Sequence, residues 1–451
     1  MADAWTAREA ITAAVDPGSF AEFVRTPHLR GSDGPLGWPG YDASAARAAA
    51  GTGESESVVC GTASVGGRQS VLVSFEFGFL GGSLGEHTGD LLEAAFTTAR
   101  ERRVPLVSLV ATGGSRMQEG MRALTQLQRV ARQSALLRAA GIPQIAVLRD
   151  PTTGGGWATL GAGADIVLAL PGAQVGFAGS RVRPPGADPA AYTAEGQLAA
   201  GQIDALVRPD ELHSTLADWL MLLSGPHAGG PAAPPGAPAG ESGPALSGWD
   251  AVTLTRSAGR PRADAYLAAY FDGGVREIGG DRCGGTDPGM RCGFGLRQGR
   301  TVAYAAQCGT ATRPAGYRTA TRLVRLAESL GIAVLTLIDT PGAANDAEAE
   351  REGAGAAIAG LFAAMATARV PLTTLLVGEG GSGGALALAA PGNLWATPDS
   401  YFSVIAPEAA AAILKRSPDR VPETADQLRL RPRDLVDLGI ARGVVSLFPA
   451  S

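Results

Sequence analysis

The chain has 451 residues, a formal net charge of -5 at pH 7 and only 18% charged residues. That is long enough for more than one core, with a soft prior of about three domains at roughly 150 residues each, and too acidic for a general nucleic-acid binder. No basic or apolar leader opens it and no apolar run reaches the roughly 18 residues of a membrane span, so a cytoplasmic chain without signal peptide or transmembrane helix is expected.

In chain order, the first clear unit is a buried-strand signal, Val104 to Ala111, ending at Thr112-Gly113-Gly114. A helical period runs from Met117 to Arg132. A second strand, Ile142 to Leu148, runs into Asp150-Pro-Thr-Thr-Gly-Gly-Gly156, and a small-residue helix (Trp157 to Gly161) follows. A third strand, Asp165 to Leu170, leads through Pro171 to Gly176-Phe177-Ala178-Gly179. The segment Gly225 to Gly248 is rich in Pro, Gly and Ala and has no apolar periodicity, which predicts a surface tether.

The second half repeats the first. Ile332 to Ile338 ends at Asp339-Thr340-Pro341-Gly342, and a helical period covers Glu348 to Met365. Val370 to Val377 runs into Gly378-Glu-Gly-Gly-Ser-Gly-Gly384, followed by a small-residue helix (Ala385 to Ala389), the strand Asn393 to Ala396, Pro398 and Tyr401-Phe-Ser-Val404. The offset between halves stays near 228 residues through both strand–turn units. Strands alternating with helices predict parallel or mixed sheets with helical cover and sites at the carboxyl ends of strands. The expected domains are residues 1–224, a linker 225–248, and residues 249–451.

The glycine turns Gly154-Gly155 and Gly380-Gly381 are the candidate chemistry. Glycine allows close backbone approach and positive φ, and a turn that opens a helix presents N–H groups to an anion. Four readings compete. Gly380 to Gly384 formally matches a nucleophile elbow, but all four histidines (His28, His87, His213, His227) precede Ser382, the wrong order for an α/β-hydrolase. A Walker phosphate loop is missing. Close helix packing suits any one glycine turn. A pair of similar turns favours oxyanion holes. Asp150, Asp339 and Glu379 read as capping groups beside the turns, and Arg116 and Arg181 as candidates for an anionic cofactor. The cysteines Cys60, Cys283, Cys292 and Cys308 lack zinc-ligand spacing, so no metal is expected.

These motifs resemble the carboxyltransferase component of bacterial acetyl-CoA carboxylase, in the crotonase-like superfamily. The first half, through Phe75 to Gly85, Ala111 to Gly120, Asp150 to Gly155 and Gly176 to Val182, resembles its beta subunit. The second, through Arg313 to Arg318, Leu337 to Gly342, Gly378 to Ala387 and Tyr401 to Ala410, resembles its alpha subunit. The resemblance implies an α/β fold of two tandem crotonase-like domains, each a β-β-α superhelix. It implies transfer of a carboxyl group from carboxybiotin, borne on a biotin carboxyl carrier protein that a biotin carboxylase charges, to the α-carbon of an acyl-CoA. By family position Gly154-Gly155 would hold the thioester enolate and Gly380-Gly381 the biotin oxyanion. Gly81, Gly82, Gly113, Gly114, Arg116, Phe177, Gly179, Pro341 and Gly342 would contact substrate. A homodimer with sites between beta-like and alpha-like domains of different protomers is implied. Two departures stand out: no cysteine precedes Cys60, where the family's beta subunit has a zinc ribbon, and the alpha subunit's basic loop shrinks to Cys308 to Arg313. The first implies no zinc; the shortened loop keeps a biotin-independent malonyl-thioester decarboxylase, a carrier-protein-bound thioester as substrate, and a catalytically silent scaffold open.

Overall fold

The computed structural model describes residues 5–24, 31–225, 229–237 and 245–446. His28, His227 and residues 1–4, on which parts of the sequence reading rest, lie outside the described residues. The chain divides into unit 1, Met1–Gly225, and unit 2, Pro226–Ser451.

Unit 1 begins with a helix, Ala7–Ala14, whose N-terminus is closed by a capping box of Thr6 and Glu9. Its sheet is built from β1 (Ala21–Glu22), β2 (Val58–Val65), β3 (Arg68–Phe75), β4 (Leu106–Thr112), β5 (Gln144–Thr153), β6 (Ile166–Ala169), β7 (Val175–Gly176) and β8 (Ala205–Leu206). The order is β1-β2-β3-β4-β5-β6-β8, with β7 paired to the far end of β5. β2 and β3 form an antiparallel hairpin; from β3 onward the pairing is parallel. The helices Glu86–Arg102 and Met121–Ala139 make the crossovers between parallel strands. Alternate residues of the central strands (Val71, Val73, Phe75, Leu106, Val110, Ala146, Leu148) face Leu92, Phe96 and Ala99 of the first crossover helix in one buried cluster. Fully burying a side chain such as Phe96 stabilises by about 1.5–3 kcal/mol.

Unit 2 is the same object again. β9 (Arg276–Glu277), β10 (Met290–Arg297), β11 (Arg300–Gln307), β12 (Ala333–Thr340), β13 (Leu372–Gly381), β14 (Leu394–Ala396), β15 (Tyr401–Ser403) and β16 (Gly443–Val444) run in the order β16-β14-β13-β12-β11-β10-β9, with β15 on β13. Its crossover helices are Pro314–Leu330 and Ala354–Thr367. Thr112 pairs with Thr152 in unit 1 and Thr340 with Gly380 in unit 2, each just past a register shift in the ladder. Both pairs are offset by 228, so the repeat extends to the strand order and the ladder register.

The structure differs from the sequence reading in four places. Each unit opens its sheet with a hairpin, which the reading missed. The signals were Gly66-Gly67 and Gln298-Gly299, two-residue turns with all four φ between +52° and +76°, as tight hairpins require. The first helical period splits into a single turn at Met117–Glu119 and the helix Met121–Ala139. The second breaks at Gly353, where φ is +82°, between Ala347–Arg351 and Ala354–Thr367. The described part of the linker is no free tether. Ala232 and Ala237 are buried in the unit 2 core, Thr373 donates to the Ala232 carbonyl at 2.7 Å, and the Ala237 amide donates to Ser446 O at 3.1 Å. Small residues let this backbone lie flat on the sheet.

Candidate functional site

In unit 1 three glycine turns meet at the carboxyl ends of β4 and β5. The Gly113 amide donates to Gly81 O at 2.9 Å. A Cβ on Gly82 would stand 2.1 Å from Ala111 O, and one on Gly154 would stand 3.1 Å from Gly114 Cα. These backbones touch because side chains are missing. Gly154, at φ +63°, turns the chain from β5 into the short helix Gly154–Gly156. Its amide donates to Phe177 O at 3.1 Å, so Gly154 is closed as an anion donor. Gly155 and Gly156 follow in the first helical turn, where amides have no intrahelical acceptor. Gly179 lies beside Thr153, its Cβ position 3.4 Å from Thr153 Oγ1, and the Phe177 side chain is 73% exposed.

Unit 2 repeats the arrangement. The Gly114 amide donates to Thr112 Oγ1 at 3.0 Å and the Gly342 amide to Thr340 Oγ1 at 3.2 Å. Leu84 N reaches Gly114 O at 2.9 Å, and Thr312 N reaches Gly342 O at 3.0 Å. The offset of 228 holds in each case. It places Ser382, at φ +57°, opposite Gly154, and Gly383-Gly384 opposite Gly155-Gly156.

The expected pair Gly380-Gly381 is therefore shifted by two residues. Both belong to β13 and are buried. A Cβ on Gly381 would lie 1.9 Å from Pro341 O: this glycine lets the Pro341-Gly342 turn close on the strand. The exposed residues of the turn are Ser382 and Gly383.

The two turns also differ in what covers them. A Cβ on Gly155 would lie 2.5 Å from both δ-carbons of Leu127, which roofs that turn from the Met121–Ala139 helix. A Cβ on Gly383 would meet nothing within 4 Å. At the offset of 228 Leu127 corresponds to Gly355, which is equally open.

Comparison with known proteins identifies the family. Residues 3–205 match the carboxyl transferase domain family, and residues 242–447 match the family described as acetyl co-enzyme A carboxylase carboxyltransferase-like. The acetyl-coenzyme A carboxylase carboxyl transferase subunits beta/alpha of Salinispora arenicola are 41% identical over 96% of this chain and 80% of that protein. The chain belongs to this carboxyltransferase family. A probable biotin-dependent acyl-coenzyme A carboxylase beta3 subunit of Mycobacterium bovis is 33% identical over 97% of the chain and 88% of its own length. Transcarboxylase 12S, solved with methylmalonyl-coenzyme A and methylmalonic acid bound, shares the fold with a TM-score of 0.80 at 23% identity, over 98% of this chain and 86% of that one. The protein is thus a biotin-dependent acyl-CoA carboxyltransferase with a beta-like half and an alpha-like half.

Arg116 does not serve this carboxyltransferase as an exposed anion binder. Its side chain is fully buried and ion-paired to Glu56 and Glu119. Burial opposes its charge, but those carboxylates outweigh burial and hold the guanidinium charged. Burial likewise opposes ionisation of Glu56, and Arg116 outweighs it, leaving that carboxyl below the usual carboxylate range. Arg181 is exposed. The acidic residues near the turns are structural: Asp150 accepts the Gln174 amide at 2.9 Å, Tyr401 donates to Glu379, and buried Asp339 is paired to Arg260 at 2.6 Å. Ser382 occupies the left-handed position of the turn, and no histidine stands among the described residues of unit 2 to activate it. Among the described residues no helix is long and apolar enough to cross a membrane. Sequence reasoning missed Leu127 and Glu56, whose contacts are with residues distant in the chain.

Proposed function

We propose that the turn of unit 1 holds the oxyanion of an acyl-CoA thioester enolate and that the turn of unit 2 holds the ureido oxyanion of biotin. The observation that carries this assignment is the difference in cover over two otherwise equivalent turns. Leu127 packs against Gly155, leaving room for a thin acyl group, while open space above Gly383 and Gly355 suits the bicyclic ring of biotin. The donors would be the amides of Gly155 and Gly156 in one turn and of Gly383 and Gly384 in the other. Carboxybiotin, when bound, supplies the carboxyl group. The chain's own part is to hold charge with backbone dipoles that need no reorganisation, each worth about 2.7–4 kcal/mol in such sites.

The restricted first turn favours a short acyl group, so the proposed reaction is of the acetyl-CoA to malonyl-CoA type. The partners are a biotin carboxyl carrier protein and a biotin carboxylase, in the cytoplasm. We extend the reading to a homodimer. Met117, Met121, Leu124, Phe177 and Val182 are exposed apolar residues of unit 1, as Val404, Ile413 and Leu414 are of unit 2. Exposed apolar surface of this kind supports cover by a second copy.

Reconstitution with biotinylated carrier, biotin carboxylase, ATP and bicarbonate tests the reading. Carboxylation of a short acyl-CoA, abolished by avidin, is expected. CO2 release from a malonyl thioester that avidin leaves untouched would replace it with the decarboxylase, and inactivity on every CoA and carrier thioester would leave a scaffold.

A further inference from the structure

Unit 1 contains a buried charge cluster that unit 2 lacks at the corresponding positions. Arg116 Nη1 reaches Glu56 Oε2 at 3.1 Å, Glu119 Oε1 at 3.2 Å and Tyr41 Oη at 3.2 Å. Its Nη2 bonds Glu56 Oε1 and donates to Ser83 O at 2.8 Å. Tyr41 donates to Glu119 at 2.5 Å, and the other Glu119 oxygen accepts the Glu86 amide at 2.6 Å, at the start of the Glu86–Arg102 helix. All four side chains are buried.

Burying charge is costly, and the fold alone does not require it here. Unit 2 forms the same backbone bridge with alanine. Arg116 N donates to Leu84 O at 2.8 Å, while Ala344 N donates to Thr312 O at 2.9 Å. What unit 1 adds is a longer connection. Ten residues link β3 to the next helix, against six between β11 and its helix. The extra turn is Phe79-Leu80-Gly81-Gly82. The Arg116 guanidinium lies 5.7 Å from the centroid of the Phe79 ring and grips Ser83 at the turn's far end. Gly81 O from this turn receives the Gly113 amide, and Gly114 in turn backs Gly154.

We propose that Arg116 is a positioning residue for the acyl-thioester turn. Together with Glu56, Glu119 and Tyr41 it locks the Phe79–Gly82 turn against Gly113-Gly114, which fixes the Gly155 amide where charge develops. This rests on the proposed assignment of the enolate to unit 1. A displaced donor costs more in the transition state, where the charge develops, than in ground-state binding of the whole CoA thioester.

The test measures carboxyl transfer from carboxybiotinylated carrier to a short acyl-CoA, with kcat, KM and melting temperature recorded for each variant. Arg116→Lys keeps a charge but not the fork, and is expected to lower kcat about tenfold to a hundredfold, the scale of a small misplacement, with KM for acyl-CoA little changed. Tyr41→Phe removes one hydroxyl and serves if Arg116→Lys does not fold. It should lower kcat by a smaller factor at a nearly unchanged melting temperature. A kcat per folded enzyme equal to wild type in Tyr41→Phe, or in a folded Arg116→Lys, overturns the proposal while leaving the enolate assignment intact. Wild-type enzyme that transfers nothing to acyl-CoA defeats both.

Discussion

The two turns share a backbone and differ in what stands over and behind them. In unit 1, Gly154 holds the left-handed position, Leu127 roofs Gly155, and a buried Arg116–Glu56–Glu119 cluster stands behind. In unit 2, Ser382 holds the left-handed position, Gly383 is open, and alanine replaces the arginine. On the proposed assignment one backbone device serves two ligands, with selectivity set by the side chains that pack over it and behind it.

The largest effect should come from breaking the cluster behind the first turn. Glu56→Ala leaves Arg116 buried without its main partner and should cost about 3–5 kcal/mol of unit 1 stability, read by denaturant unfolding. The pH dependence follows from the same pair. Because the folded pKa of Glu56 is depressed, its stabilising contribution is present above the unfolded value of about 4.3 and is lost as pH falls through the folded pKa. Glu56→Gln should therefore flatten the acid limb of the stability profile.

Next come the donors. Gly155→Val must push Leu127 aside, so it should lower both the melting temperature and kcat, the latter by about a hundredfold to a thousandfold. Gly383→Val projects into open space and should lose transfer comparably with the melting temperature held. A smaller effect is expected from Gly355→Leu, which copies the roof of unit 1 onto unit 2. It should raise KM for the biotinylated carrier about tenfold, the scale of a few misplaced methylenes, with KM for acyl-CoA unchanged. Smallest is the left-handed residue itself. Ser382→Gly should stabilise by about 1 kcal/mol by relieving backbone strain, while Gly154→Ser should destabilise because its Cβ would press on Gly114 Cα. Calorimetric melting checks both.

The repeat, the parallel strands and the place of the glycine turns at their carboxyl ends were legible because strand signals and glycine clusters recur at a fixed offset. The hairpins were passed over because a two-residue turn such as Gln298-Gly299 is a small mark beside a long strand. The assignment of Gly380-Gly381 slipped because the sequence pairs glycine with glycine, whereas conformation pairs Gly154 with Ser382, a residue that seldom adopts positive φ. Arg116 looked like an anion binder because nothing local marks burial. Its partner Glu56 is sixty residues away in sequence. The described residues around Ala232 and Ala237 depart from a tether because Pro, Gly and Ala are as well suited to lying against a sheet as to avoiding one.

Whether the two turns hold different ligands can be read from titration of two alanine variants. Gly155→Ala displaces only the flexible end of Leu127, and Gly383→Ala meets open space, so both should fold. Calorimetric binding of a short acyl-CoA and of the biotinylated carrier should then separate cleanly. Weakened acyl-CoA binding with carrier binding retained is expected in Gly155→Ala, and the reverse in Gly383→Ala. Both ligands weakened together in either variant, or the opposite pairing, would contradict the proposed assignment.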